Sequence, residues 1–381
     1  MDIKSEIKRL ARIEESPYPF VSLYLNTKQD DEQQRERIRL FTKNQLKRIH
    51  DQLKDREDWR KTFAEDQKQI EKYVEGLVRR SYDEGVNGLA IFSCSGNGVF
   101  LTYPSIVPFE NECVISDLPA LQPLVRLSSQ YQGTLAVMVD TDSAKLFEVS
   151  LEGLMAESSI ESYVPGRHDQ GGWAQMRYQR HIKDHMDKHH REVAEQLTEL
   201  FDSGKWKRVV LIGQERIVAN FRAFLPERIK QQIADTFSID FSEERSKVLK
   251  RVFERLLQKE SQEVSRQIEE LKERSPKGGL STFGLNGTLE ALNGGQIQTL
   301  YLVTSFSHSG GKCHRCSSLV LIPSPGDPSA HCPLCKEEMK IVNLGEEMVR
   351  STLRQDGEVK WVEENTILRE SDGVGAALRF R

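Results

Sequence analysis

Two groups of residues in this 381-residue sequence have types and spacing that could do chemistry. The first is a pair of knuckles, Cys313-x-x-Cys316 and Cys332-x-x-Cys335, with fifteen residues between Cys316 and Cys332. Two Cys-x-x-Cys pairs at such a spacing are a strong signal for tetrahedral zinc. Four thiolates fill the coordination sphere and leave no place for a reacting water, so the zinc expected here is structural. His314 and His331 flank the knuckles, but four cysteines suffice. The intervening Pro323-Ser324-Pro325-Gly326-Asp327-Pro328 supplies the tight turn that a zinc ribbon requires. The two remaining cysteines, Cys94 and Cys113, stand alone, which fits a reducing cytoplasm better than a disulfide framework.

The second group is Gly171-Gly172-Trp173 and what surrounds it. Paired glycines reach backbone angles closed to other residues, so they suit a loop tip that bends tightly or is closely approached. Trp173 sits on that tip with no apolar neighbours before it, a poor place for a core residue. Arg167 and His168 precede the tip, and Gln175 lies two residues beyond Trp173. Arg177, Arg180, Lys183, Lys188 and Arg191 follow on a segment patterned as a helix. A tip on a cationic stalk suits insertion into a polyanion, RNA foremost.

This stretch resembles the middle-domain signature of the archaeal and eukaryotic class-1 peptide chain release factors, roughly G-R-H-G-x-G-G-Q-S-A-x-R-F-x-R. Gly166, Arg167, His168, Gly171, Gly172, Arg177 and Arg180 match it as they stand, and Tyr178 keeps an aromatic. Trp173 takes the place of the glutamine, the residue with which that family promotes peptidyl-tRNA hydrolysis in the peptidyl-transferase centre. The resemblance is therefore to a bacterial-type divergent member with Gly-Gly-Trp for Gly-Gly-Gln, of an architecture shared with the rescue factor Pelota. It extends to Thr282–Val303 and to the last residues, 373–380, which are similar to the start and final strand of the family's third domain. The family's third domain carries a similar zinc mini-domain in archaea. Its first domain reads stop codons with an Asn-Ile-Lys-Ser motif between two helices. That motif is absent from this sequence, and the segment expected to correspond, residues 27–34, is short and acidic.

The elements that must position these groups follow from periodicity. Residues 21–26 read as a strand, and 31–54 and 60–81 as long helices with Ile38, Phe41, Leu46, Ile49 and Leu53, then Phe63, Ile70, Tyr73, Val74 and Leu77, on their apolar faces. Leu40 falls off the first stripe. Residues 88–94, 98–102 and 105–109 read as a β-meander. Residues 134–139 and 144–149 form a hairpin around Asp140-Thr141-Asp142-Ser143. The stalk helix runs from about 174 to 201 with its stop at Gly204, a buried strand spans 208–213, and 243–274 is almost unbroken helix. The expected fold is multidomain α/β: an N-terminal α/β domain at 1–128, a release-factor-like middle domain at 129–260, and a C-terminal domain at 261–381 with an inserted zinc ribbon at 313–335.

The formal net charge of −4 excludes a wholly basic nucleic-acid binder, so RNA contact must come from local patches. No apolar run approaches the ~20 residues of a membrane helix, and the first residues lack a signal-peptide pattern; a cytoplasmic chain is expected. No P-loop or nucleotide fingerprint occurs. The function expected from the resemblance is binding at the ribosomal A site, to rRNA and peptidyl-tRNA, in codon-independent rescue or quality control with peptidyl-tRNA hydrolysis. One alternative is a non-hydrolysing ribosome occupant. Another is an RNA-cleaving enzyme that uses His168 or the His181, His185, His189 ladder, although a solvated polar face is the simpler reading of that ladder. Delivery by a translational GTPase is open by analogy, and a monomer is expected.

Overall fold

The computed structural model describes residues 3–28, 33–79, 86–130, 133–150, 153–161, 173–204, 206–275, 279–322 and 331–380. The chain divides into two units: residues 1–130 together with 261–381, and Tyr131–Glu260. Among the described residues, each of the two end segments and the middle unit has its own main sheet, and the C-terminal segment has a second, smaller one.

The N-terminal segment runs α1 (Ile3–Ala11), β1 (Phe20–Asn26), α2 (Gln34–Gln52), α3 (Glu57–Arg79), β2 (Gly88–Cys94), β3 (Val99–Ser105), β4 (Glu112–Ser116) and α4 (Gln122–Gln130). Its sheet has the order β3-β2-β1-β4 with antiparallel neighbours. Val21, Leu23, Leu25, Leu89 and Ile91 on one face meet Ile38, Leu46 and Ile49 of α2 and Phe63, Ile70 and Val74 of α3. Leu40 is exposed, as its position off the stripe implies. The expected strand at 105–109 does not form. The Val107 N–H donates to Ser105 Oγ at 3.0 Å, a local turn, and Pro108 has no N–H to give a ladder. The fourth strand is β4 instead. The turn between α2 and α3 is residues 53–56, not 27–34, which precede α2; the segment placed between the two helices is therefore Leu53-Lys54-Asp55-Arg56.

The middle unit runs β5 (Thr134–Val139), β6 (Ser143–Ser150), β7 (Gly153–Glu161), α5 (Trp173–Asp202), β8 (Arg208–Ile212), α6 (Glu215–Ala223), α7 (Glu227–Lys230), β9 (Ile233–Phe237) and the first half of α8 (Arg245–Arg274). The sheet order is β7-β6-β5-β8-β9, antiparallel through β5 and parallel beyond it. Strand alternation sends Leu135, Val137 and Leu211 to one face, against Val193, Ala194 and Leu197 of α5 and Phe221 of α6. Ala136, Met138 and Val210 go to the other, against Val248, Val252 and Leu256 of α8. The β5–β6 turn closes as its composition predicts: Asp140 N–H donates to the Ser143 carbonyl at 2.8 Å, and Asp140 Oδ1 accepts from Thr141 N–H at 2.8 Å. Gly204, at φ +79°, takes the left-handed conformation that ends α5.

The C-terminal segment adds β10 (Ser281–Phe283), α9 (Leu285–Asn293), β11 (Ile297–Val303), β12 (Ser309–Cys313), β13 (Leu319–Val320), β14 (Met339–Asn343), α10 (Leu344–Arg354), β15 (Glu358–Val362), α11 (Thr366–Arg369) and β16 (Val374–Leu378). One sheet is β10-β16-β11-β15; a smaller one, β13-β12-β14, carries the knuckles. The two end segments are joined by charge. Glu346 of α10 accepts from the N–H groups of Leu121 and Gln122 at the start of α4, a carboxylate cap. Arg350, 1% exposed, donates to the Pro119 carbonyl and pairs with Glu346 at 3.4 Å and Glu347 at 3.7 Å. Lys312 lies between Glu15 (2.8 Å) and Glu347 (3.1 Å), Lys340 pairs with Asp117, and Arg354 donates to the carbonyls of Ala11 and Ile13.

Candidate functional site

Each cysteine knuckle is built the same way. Cys313 N–H donates to the Ser318 carbonyl and Cys332 N–H to the Glu337 carbonyl, five residues on in both cases. Ser317 and Lys336 N–H groups donate back to the carbonyls of Cys313 and Cys332. The same two residues, Ser317 (φ 57°) and Lys336 (φ 62°), take left-handed backbone angles. The register Cys313↔Met339 then sets the first knuckle beside the second. The result is a tight cluster: Sγ distances are 3.4 Å for Cys313–Cys335, 3.5 Å for Cys316–Cys332 and 3.6 Å for Cys316–Cys335, and all four sulfurs lie within 4.8 Å of one another.

These distances are far beyond the roughly 2.05 Å of a disulfide. A metal–thiolate tetrahedron with bonds of about 2.3 Å has edges of about 3.8 Å, close to the separations seen here. Charge gives the same answer. The Ser318 hydroxyl and N–H lower the Cys316 thiol to about 6. The Glu337 N–H favours the Cys335 thiolate, but the neighbouring thiols of Cys313, Cys316 and Cys332 outweigh it and push Cys335 up to about 12. One thiolate forms readily and the next resists, which is the behaviour of a donor set that needs a cation to ionise fully. The four cysteines could hold a metal ion; His314 and His331 are exposed and outside the group.

The tip lies elsewhere in the chain. Arg167, His168, Gly171 and Gly172 are outside the described residues. Trp173 and Gln175 fall in the first turn of α5, and Arg177 and Arg180 in the next two, as backbone positions. Lys183, Lys188 and Arg191 are described and exposed, with Arg191 over the Phe224 ring at 5.8 Å. At about 100° per residue, positions 177, 180, 183, 188 and 191 fall within an arc of about 140°. The buried Val193 and Leu197 lie outside that arc. Asp184 and Asp187 share the basic arc and reduce its net charge.

The histidine ladder requires a correction. His189 is buried, not part of a solvated polar face, and the adjacent His190 is buried as well. His190 Nε2 lies 3.4 Å from the Asp140 carbonyl oxygen, and its ring meets Phe221 edge-on at 5.7 Å. Burial lowers the pKa of both imidazoles. Together they pack α5 under the β5–β6 turn. A histidine held there has no access to a substrate on the outer face. The sequence signal was present: His190 sits near the Val193 and Leu197 side of the helix.

Residues 119–256 match the sequence model of the family described as bacterial archaeo-eukaryotic release factor family 10. The middle of this chain is release-factor-like. The matched segment holds the hairpin, the tip and the whole of α5. A curated relative, the peptide chain release factor subunit 1 of Aeropyrum pernix, is 27% identical over 180 residues, covering 44% of this chain and 47% of that one. The chain thus spans about half the length of the curated relative it matches. Among solved structures, Archaeoglobus fulgidus Pelota is 18% identical over 77% of this chain and 79% of its own, with a TM-score of 0.34. A translation termination-like factor of Saccharomyces cerevisiae is 12% identical over 77% and 80%, with a TM-score of 0.39. Among the described residues no helix is long and apolar enough to cross a membrane.

Proposed function

We propose that this release-factor-like chain binds the ribosome at the A site and peptidyl-transferase centre, in codon-independent rescue or quality control. The observation that carries the reading is the family match over residues 119–256, which includes the Gly171-Gly172-Trp173 sequence, Trp173 being the first residue of α5. The curated relative, a peptide chain release factor subunit, supports the same class of action. Gly171, Gly172, Trp173 and Gln175 form the tip at the reaction centre. Arg167, His168, Arg177, Arg180, Lys183, Lys188 and Arg191 hold rRNA phosphates. The first N–H groups of a helix have no intrahelical acceptor, so those from Trp173 onward can donate to an oxyanion developing on the peptidyl ester. The Gln175 amide offers a further donor and acceptor.

A second reading is a non-hydrolysing occupant of the A site. It is favoured by Trp173 itself: an indole N–H only donates and cannot accept a bond from an attacking water. In that case the ring stacks on an unpaired base, worth roughly 1–3 kcal/mol. The RNA-cleaving alternative is weakened, because His189 of its ladder lies in the interior. The metal at Cys313, Cys316, Cys332 and Cys335 is zinc in a structural role. Delivery by a translational GTPase, a cytoplasmic location and a monomeric state complete the proposal.

The test is release of labelled peptide from stalled ribosomes and from split large subunits carrying peptidyl-tRNA. Release by the wild type that Gly172→Ala abolishes establishes the hydrolytic form. Binding without release, with activity gained by Trp173→Gln, establishes the occupant. No ribosome binding at low salt rejects both.

A further inference from the structure

The acid-free run with the most cations lies outside α5. Residues 37–50 of α2 carry Arg37, Arg39, Lys43, Lys47 and Arg48 and no acid, whereas the basic arc of α5 includes Asp184 and Asp187. All five cations are exposed, while Ile38, Thr42, Leu46 and Ile49 bury the opposite side of α2. Arg39, Lys43 and Lys47 stand at i, i+4 and i+8, a stripe of like charges that weakens an isolated helix. Glu36 and Glu75 pair with Arg39, which leaves the lower part of the stripe without that compensation.

Arg39 and Lys43 of the stripe line a groove shared with α3, whose other wall carries Lys68 and Lys72 together with Glu71 and Glu75. Lys72 also borders a second, more apolar hollow formed with Tyr73, Leu77 and Phe100. Tyr73 is 36% exposed and meets Phe100 at 5.8 Å, so its ring is held in place with part of its surface open. Cations along a groove followed by a fixed, partly open aromatic ring are what a single nucleic-acid strand requires: phosphates for the lysines and a base for the ring.

We infer that the outer face of α2 and α3 is a binding track for single-stranded RNA, with Lys43, Lys47, Lys68 and Lys72 on phosphates and Tyr73 beneath a base. The track would give the proposed ribosome-bound protein a second RNA contact, independent of the tip, and it rests on that reading only for its biological setting. It needs no codon-reading motif, because stacking and phosphate contact are tolerant of sequence.

The experiment measures binding of a fluorescent oligouridylate to the full chain by anisotropy across a salt series. The wild type binds, and affinity falls with salt. Lys43→Glu with Lys47→Glu and Lys72→Glu weakens binding at least about tenfold at low salt and flattens the log–log salt slope by about 2, near 0.7 per lost phosphate contact. Tyr73→Ala weakens binding about fivefold or more at unchanged slope. Lysine-to-arginine replacements at the same three positions restore it. Should the charge-reversed chain misfold by circular dichroism, the neutral Lys→Gln triple gives the same readout. Wild-type affinity in the reversed or neutral triple, or displacement of RNA by polyglutamate as effectively as by unlabelled RNA, overturns the proposal. RNA binding with the expected losses, but no binding to ribosomes, keeps the track and rejects the ribosomal setting.

Discussion

The middle unit and the unit formed by the two chain ends bury their interiors in different ways. The middle unit is layered, with α5 and α6 on one face of its sheet and α8 on the other, and its buried carboxylates Asp235 and Glu260 pair with Arg255 and Arg208, whose side chains stay partly exposed. Its conspicuous buried polar groups on α5 are two imidazoles whose pKa burial lowers. The end segments instead meet through ions: Arg350, Glu346 and Glu347 in the interior, and Lys312 between two carboxylates beside Cys313. Apolar layers tolerate graded change. Buried ions do not, because removal of one partner strands the other. The unit that carries the proposed chemistry thus keeps the cations of its ion pairs partly exposed, and the unit that frames the cysteine cluster buries them.

Loss of the metal should be the largest effect. Cys332→Ser, or a strong chelator, is expected to take the zinc proposed at the four cysteines from one per chain to none by elemental analysis. It should also unfold the β13-β12-β14 ribbon, since the binding energy of a structural zinc in small domains runs to roughly 10–16 kcal/mol. Hydrogen exchange in α5 should stay protected. A loss of protection there would erase the contrast between the units.

Next is Arg350→Ala, which leaves Glu346 and Glu347 without their shared cation. A cost of about 3–5 kcal/mol is expected in denaturant unfolding. Arg350→Met should cost less when combined with Glu346→Gln, because fewer charges remain stranded.

A smaller effect separates the units by pH. Burial lowers the pKa of His189 and His190 from 6.5, so below that value the unfolded chain takes up protons that the folded middle unit resists. Their stabilisation is present above pH 6.5 and is lost as pH falls toward the lowered folded values. Glu346 runs the other way. Burial raises its carboxyl above 4.5 despite the opposing Arg350, so its contribution is full below 4.5 and is lost as pH rises through the folded value. Hydrogen exchange between neutral pH and pH 5 should show α5 loosening, and His190→Phe should flatten that response. A uniform response in α5 and α10 would count against the contrast.

Much of this was legible in the sequence, for reasons that differ by region. The cysteine spacing named the cluster because metal geometry is local. The helices α2, α3, α5 and α8 appeared within a few residues because each carries a long apolar stripe. Legibility failed where tertiary contact decides. Glu346, Glu347 and Arg350 read as an ordinary charged helix face, and only the packing of α4 against α10 buries them. Type alone groups His189 with His181 and His185, although helical phase sets His189 and His190 on either side of the Val193 and Leu197 stripe. Residues 105–109 were apolar enough to read as a strand, but a serine turn and Pro108 prevented it.

The most direct test of the central claim is competition for the A site. Stalled ribosomes carrying peptidyl-tRNA are titrated with the protein, and binding of aminoacyl-tRNA to the A site is followed. The account predicts that the wild type blocks A-site binding without regard to the codon, and that Lys183→Glu with Lys188→Glu and Arg191→Glu relieves the block as salt rises. Free access of aminoacyl-tRNA to ribosomes saturated with the protein would contradict it.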